Sequence, residues 1–208
     1  MNITDLIDQS HKKLVSELNE DLGGKKLAND ITSQKLLRQS QNIECIISNR
    51  EDIVLSGSIF IANFFKKSFP KIKFKCFYND GDKIKKGSKI FFINGNARMI
   101  MTFERTVLNF LQHLCGISTI TNKFVIQMGK SKTKLLDTRK TVIGLRKIEK
   151  YATTIGGAKN HRMGLYDGIL IKDNHIKIIG GIEKTLEILK QKKIYDYKIE
   201  CDNFYQAK

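Results

Sequence analysis

Seven cationic side chains and three acids stand where this sequence could do chemistry: Arg105, Arg139, Lys140, His161, Arg162, Lys172 and His175, with Asp173, Glu200 and Asp202. Arginine grips a carboxylate or phosphate with two parallel N–H bonds, and lysine adds a mobile point charge. Many cations with few carboxylates suit a polyanionic substrate that also carries hydroxyls or a metal ion. Other chemistries lack their residues. There is no His-Glu-x-x-His zinc motif and no Gly-x-x-x-x-Gly-Lys-Ser/Thr loop for nucleotide phosphates. No Ser or Cys stands out as a nucleophile paired with histidine; Cys115 follows an apolar helical face and reads as core. Electrostatic stabilisation, not covalent catalysis, is what these residues suit.

The elements that must hold them follow from periodicity. Three polar clusters each follow a short apolar run: Asp137-Thr138-Arg139-Lys140 after Leu135-Leu136, Lys172-Asp173-Asn174-His175 after Gly168–Ile171, and Glu200-Cys201-Asp202-Asn203 after Tyr197–Ile199. The clusters start 35 and 28 residues apart, near the roughly 30 residues of one βαβ unit. Between the runs lie helical stripes. Leu145, Ile148, Ala152 and Ile155 form one, closed by Gly156-Gly157, and Ile182, Leu186 and Leu189 form another. Reactive side chains at the C-terminal ends of apolar strands are the layout of a (β/α) barrel or an open α/β sheet. Ahead of these, Val107, Leu108, Leu111, Leu114 and Cys115 mark a helix that Gly116 is expected to interrupt.

The first half reads differently. Leu14, Val15, Leu18 and Leu22 share a helix face ended by Gly23-Gly24. Strands are expected at Ile43–Ser48 and Lys71–Tyr78, a turn at Asn79–Asp82, and short strands around Ile84, Ile90, Phe92 and Gly95. The fold class is therefore α/β: a sandwich-like α+β domain over 1–103, then an incomplete (β/α) barrel over 104–208.

Composition narrows the partners. The net charge of +16 comes from 30 Lys and only 7 Arg, spread along the 208 residues. No zinc-finger spacing and no RNP-like aromatic motif accompanies it, so nucleic acid is not the expected partner. The longest apolar stretch, Ile53–Phe65, is too short to span a membrane, which takes roughly 20 residues. Met1–Asp5 does not begin a signal peptide, so the cytoplasm is expected. The four cysteines at 45, 76, 115 and 201 are too far apart for a Cys-x-x-Cys motif and read as isolated buried thiols. His113 reads as structural and His11 as surface.

Three segments carry a family resemblance. Glu104-Arg105-Thr106-Val107-Leu108-Asn109-Phe110-Leu111-Gln112-His113-Leu114 with Gly116-Ile117 is the first. Asp137-Thr138-Arg139-Lys140-Thr141 with Gly144-Leu145-Arg146 is the second. The third is Asn160-His161-Arg162-Met163-Gly164-Leu165-Tyr166-Asp167, running into Leu170-Ile171-Lys172-Asp173-Asn174-His175. Together they resemble the quinolinate phosphoribosyltransferases, with weaker matches at Glu20–Gly23 and Asp30–Thr32. The resemblance implies a glycosyltransferase of NAD biosynthesis. Quinolinate would attack phosphoribosyl pyrophosphate (PRPP) with Mg2+ on the pyrophosphate, lose its 2-carboxylate as CO2, and leave nicotinate mononucleotide. It also implies that Arg139, His161, Arg162 and Lys172, with Thr138 beside them, hold the substrate's carboxylates. Arg105 would reach the same site from the other subunit of a homodimer. Lys140 would face the PRPP, and Glu200 its ribose hydroxyls or the metal.

The sequence departs from the family in two places. Val142-Ile143 stands where the family carries a proline before the glycine, which loosens the loop ahead of Gly144. The family's later strands, with a ribose-holding Leu-Asp-Asn and a Gly-rich phosphate segment, have no match here, whereas a closed barrel takes roughly 200 residues or more. A C-terminally truncated member with poor or no turnover is therefore expected. An inactive remnant, a molybdenum-transport relative of the same fold, and a basic binding protein remain as alternatives.

Overall fold

Asn2 opens the first helix by accepting from the Thr4 backbone N–H at 3.0 Å, and α1 runs Ile3–Asp21 with Leu6, Leu14 and Leu18 buried. The computed structural model describes residues 2–208. They fall into two compact units that divide between Asn160 and His161.

In the first unit, a short α2 (Ile31–Leu36) precedes strand β1 (Asn42–Ser48). The apolar stretch from Ile53 then divides into β2 (Ile53–Val54) and helix α3 (Ser58–Ser68). Strands β3 (Lys73–Cys76), β4 (Lys83–Ile84) and β5 (Lys89–Asn96) follow. β5 lies centrally between β1 and β3, antiparallel to both, and β2 pairs with β4. Alternation on β1 turns Ile43, Cys45 and Ile47 toward the core, where they meet Phe91 and Ile93 of β5 and Phe64 and Phe65 of α3. Phe65 packs between Phe74 and Phe103, with ring centroids at 4.8 and 4.9 Å. Such offset and edge contacts add to the stabilisation from burial.

Helix α4 differs from the sequence expectation. It runs unbroken over Ala97–Met128, capped by the Asn96 side chain, and passes through Gly116. A helical glycine costs about 1 kcal/mol relative to alanine. Burial of Val107, Leu111, Leu114 and Cys115 along the same helix offsets that. Residues 103 and 104 both lie inside this helix.

The expected strand at Leu135-Leu136 is reduced to one parallel bridge, Leu136 with Lys159. Helix α5 covers Arg146–Ile155, as its stripe requires. The two glycines after it have separate tasks. Gly157 takes the left-handed conformation, φ +100°. Gly156 allows close approach to α4: a Cβ there would lie 2.6 Å from the Ser118 carbonyl oxygen.

Histidine 11, expected at the surface, keeps some exposure but also has partners. It is half-buried between α1 and α3, with Nε2 2.9 Å from Ser68 Oγ and its ring against Phe64. Nor are all four thiols buried. All are free, but only Cys115 is enclosed, and burial pushes its pKa up to about 11. Cys45 and Cys76 lie on β1 and β3, the two outer strands of the three-stranded sheet, and keep some exposure.

The second unit is a parallel βαβ arrangement. β6 (Ile169–Ile171) is followed by α6 (Asp173–Ile179) and α7 (Ile182–Gln191), then β7 (Tyr197–Ile199) and a short α8 (Phe204–Ala207). β6 and β7 pair in parallel with Ile171 opposite Ile199. The architecture is an N-terminal sandwich-like α+β region followed by an incomplete (β/α) barrel; no closed barrel forms among the described residues. No helix is long and apolar enough to cross a membrane among the described residues.

Candidate active site

In the first unit the cationic segment is rooted in a buried ion pair. Asp137 has a side chain 4% exposed and pairs with Lys150 Nζ, whose side chain is 1% exposed. Thr153, three residues beyond Lys150 on the same helix face, donates to Asp137 Oδ2 at 3.3 Å. The Asn160 amide, oriented to donate, reaches the same oxygen at 2.6 Å. Asp137 is therefore the anchor of the segment and is withdrawn from solvent. Thr138 comes next, its hydroxyl accepting from the Lys140 N–H at 3.0 Å, which folds the backbone into a tight turn. Thr138 and Lys140 are exposed, and Arg139 is half-buried. The Arg139 Nε is buried with no hydrogen-bond partner among the described residues.

The loop closes onto α5 through a second turn. Leu145 N–H donates to Val142 O at 3.1 Å, and Gly144 has φ +82°. A positive φ at the third residue marks a type II turn with Ile143 at its second position. Ile143 is 96% exposed. Arg146 Nε donates to Thr141 Oγ1 at 3.3 Å.

Arg105 lies two turns inside α4, not at the helix start, and is exposed. No hydrogen bond or ion pair holds its guanidinium among the described residues. His113, two turns further on, is structural as expected: its Nε2 donates to Glu149 Oε1 at 2.8 Å.

In the second unit Arg162 Nη1 donates to the Gly168 carbonyl at 3.1 Å, just ahead of β6. Its Nε, like that of Arg139, is buried without a partner among the described residues. His161 beside it is half-buried. Parallel pairing of β6 with β7 places Lys172 and Glu200 at adjacent strand ends, with Nζ 3.6 Å from Oε1. His175 Nδ1 accepts from the Lys172 N–H at 3.0 Å, so it serves the Lys172 backbone. Asp173 is in the first turn of α6, and Asp202 is exposed. The structure thus brings Thr138, Arg139 and Lys140 together in one unit, and Lys172 with Glu200 in the other.

Sequence reasoning missed Glu149, Lys150 and Asn160. Lys150 lies roughly 200° around the helix from Ile148, so it reads as solvent-facing. It is buried because α5 is covered on that side as well. Only an unusual pairing, an acid at a strand end with a lysine on the next helix, could have hinted at it.

Within the first unit, the half-buried Arg139 guanidinium with a spare N–H and the exposed Lys140 ammonium next to it in sequence can bind an anion. No three or more His, Cys, Asp or Glu side chains converge to hold a metal among the described residues.

Comparisons with known proteins agree on one family. A family model described as quinolinate phosphoribosyl transferase, N-terminal domain, matches residues 30–115. Its C-terminal counterpart matches residues 117–208. Quinolinate phosphoribosyltransferase (decarboxylating) 2b, mitochondrial, of Nicotiana tabacum is 38% identical over 174 residues, 84% of this chain and 48% of the relative. The probable nicotinate-nucleotide pyrophosphorylase (carboxylating) of Bacillus subtilis (strain 168) is 36% identical over 197 residues, 93% of this chain and 66% of the relative. The solved nicotinate-nucleotide pyrophosphorylase of Francisella tularensis superposes with a TM-score of 0.83 at 36% identity, over 96% of this chain and 70% of that one. The chain spans about half the length of the plant relatives it matches.

Proposed function

The chain belongs to the quinolinate phosphoribosyltransferase family, and we propose that it binds quinolinate and, with PRPP, forms nicotinate mononucleotide, pyrophosphate and CO2. The observation that carries this reading is the pair of buried Nε atoms on Arg139 and Arg162 that have no partner among the described residues. A buried donor without an acceptor costs free energy, and a carboxylate is an acceptor of the right charge. Arg139, His161, Arg162 and Lys172, with Thr138 beside them, take the two carboxylates. In the reaction the pyridine nitrogen bonds to the anomeric carbon as the bond to pyrophosphate breaks. The cationic ring then accepts the electron pair released when the 2-carboxylate leaves as CO2, and that carbon takes a proton. Fixed cations and positioning are what such a reaction asks of the protein.

Lys140, exposed beside Arg139, is assigned to the phosphoribosyl donor, and Glu200 to its ribose hydroxyls. A magnesium ion carried in on the donor's phosphates would need only one or two protein carboxylates; Glu200 would be the residue to hold it if it does not serve the ribose hydroxyls, and the ion would supply charge neutralisation for the pyrophosphate. Exposure of Arg105 without a partner among the described residues supports its donation to a second subunit across a two-fold axis, giving two shared sites. A cytoplasmic location is part of the same proposal.

Titration calorimetry with quinolinate tests the reading. Arg139→Ala should weaken binding about 10- to 150-fold, since a charge-assisted bond contributes about 1.5–3 kcal/mol. Lys123→Ala, on an exposed face of α4, should change little. Equal losses from both would mean that general positive charge, not a site, binds the acid.

A further inference from the structure

Two residues behind the anion-binding loop have geometry that its chemistry alone does not call for. Val142 N–H points at the Glu149 carboxylate, 3.2 Å from Oε2 and 3.4 Å from Oε1. Glu149 is 7% exposed, and His113, on a different helix, donates to its Oε1 at 2.8 Å. We infer that His113 and Glu149 are positioning residues for the loop that presents Arg139 and Lys140; this rests on the reading of that loop given above.

The loop has two ends. Its entry is held by Asp137, which Lys150, Thr153 and Asn160 lock in place. Its exit is Leu145, the residue before α5, which offers no side-chain cap. The type II turn at 142–145 has isoleucine, not a φ-restricting proline, at its second position. Rigidity at this end therefore comes from hydrogen bonds: Leu145 to Val142 closes the turn and Arg146 reaches Thr141, while Val142 to Glu149 ties the turn to a buried side chain of α5. A carboxylate this buried adopts one orientation only if its oxygens are engaged, and His113 engages the oxygen nearer α4. Glu149 and Lys150 are consecutive, so one turn of α5 fixes both ends of the loop. A pinned backbone presents the Arg139 fork in a single geometry, and the substrate then loses less affinity to ordering the loop.

His113→Leu tests this: it keeps the bulk and removes the donor. Hydrogen exchange of amides 138–145 should quicken by about tenfold or more, the loss expected for one charged hydrogen bond. Amides of β1, β5 and α3 should be unchanged. The quinolinate dissociation constant should rise about fivefold or more, by loss of preorganisation. His113→Gln retains an N–H donor and should return both readouts to within about twofold of the unmutated chain. Unchanged exchange in the loop, or acceleration spread equally over the β1–β5 sheet, overturns the inference. Glu149→Gln is the second variant. The substitution removes the charge and turns one of the two acceptor oxygens into a donor, so the bonds from Val142 and His113 lose their charge assistance; loop exchange must rise there too, and unchanged exchange overturns the inference by itself. If the unmutated chain binds no quinolinate, the functional reading falls while the exchange result still decides the positioning role.

Discussion

Lys150→Met is the sharpest perturbation of the segment that carries Arg139. The substitution keeps the aliphatic stem and deletes the ammonium, so the Asp137 carboxylate, 4% exposed, loses its counter-charge. Breaking a buried pair by removing one partner costs about 3–5 kcal/mol. Thr153 and Asn160 still donate to Asp137 Oδ2, so a value near 3 kcal/mol is expected within that range. With a urea dependence of about 2 kcal/mol per molar, the unfolding midpoint of the first unit should fall by about 1.5 M. Asp137→Asn/Lys150→Met removes both charges and keeps an acceptor and an apolar stem. Replacing a buried pair with neutral groups is often nearly neutral, so the double variant should recover at least half of the loss. The assay is urea denaturation followed by far-UV circular dichroism on all three proteins. A midpoint shift for Lys150→Met below about 0.3 M would refute the claim that this pair anchors the segment. With Asp137→Asn added as a fourth protein, a double variant whose loss equals the sum of the two single losses would refute it as well.

Two further outcomes follow from the same geometry. Ile143→Pro places proline at the second position of a type II turn, on a side chain 96% exposed; restricting the unfolded chain should stabilise by about 0.4–1 kcal/mol, or about 1–4 °C in Tm by calorimetry. A fall in Tm would show that the backbone there departs from the turn. Burial holds the His11 imidazole below its ordinary pKa of 6.5, with Lys67 acting in the same direction and Asp8 opposing. The unfolded chain then takes up the proton first as pH falls, so this contribution is complete above 6.5 and is lost as pH falls through the depressed folded value. His11→Gln should flatten the decline of the urea midpoint between about pH 7 and 5, and an unchanged slope would rule His11 out as its source.

Much of the architecture was legible because it depends on patterns local to the chain. The stripe from Leu145 to Ile155 marks α5 within one residue, and the apolar runs ahead of Lys172 and Glu200 are β6 and β7. Their spacing foretold parallel pairing, since a strand, a crossover of helices and a second strand leave few other arrangements. Errors came where a local rule met a larger surface. Gly116 breaks an isolated helix more readily than one that buries residues on both sides of it, and α4 runs through. Leu135-Leu136 has strand composition, but forms only a single bridge with Lys159.

Residue types alone supplied a set of cations whose chemistry suits a polyanion, because guanidinium and ammonium groups carry their charge into any fold. Only the tertiary structure decided which polar groups are structural. Asp137, Lys150 and Glu149 read like solvated charges and are all enclosed, whereas Arg139 and Arg162 keep buried N–H groups with no partner among the described residues. Helix periodicity can mark one buried face. Whether the opposite face is also covered depends on elements distant in sequence, and it is that second covering which makes a charge either an anchor or an open binding group.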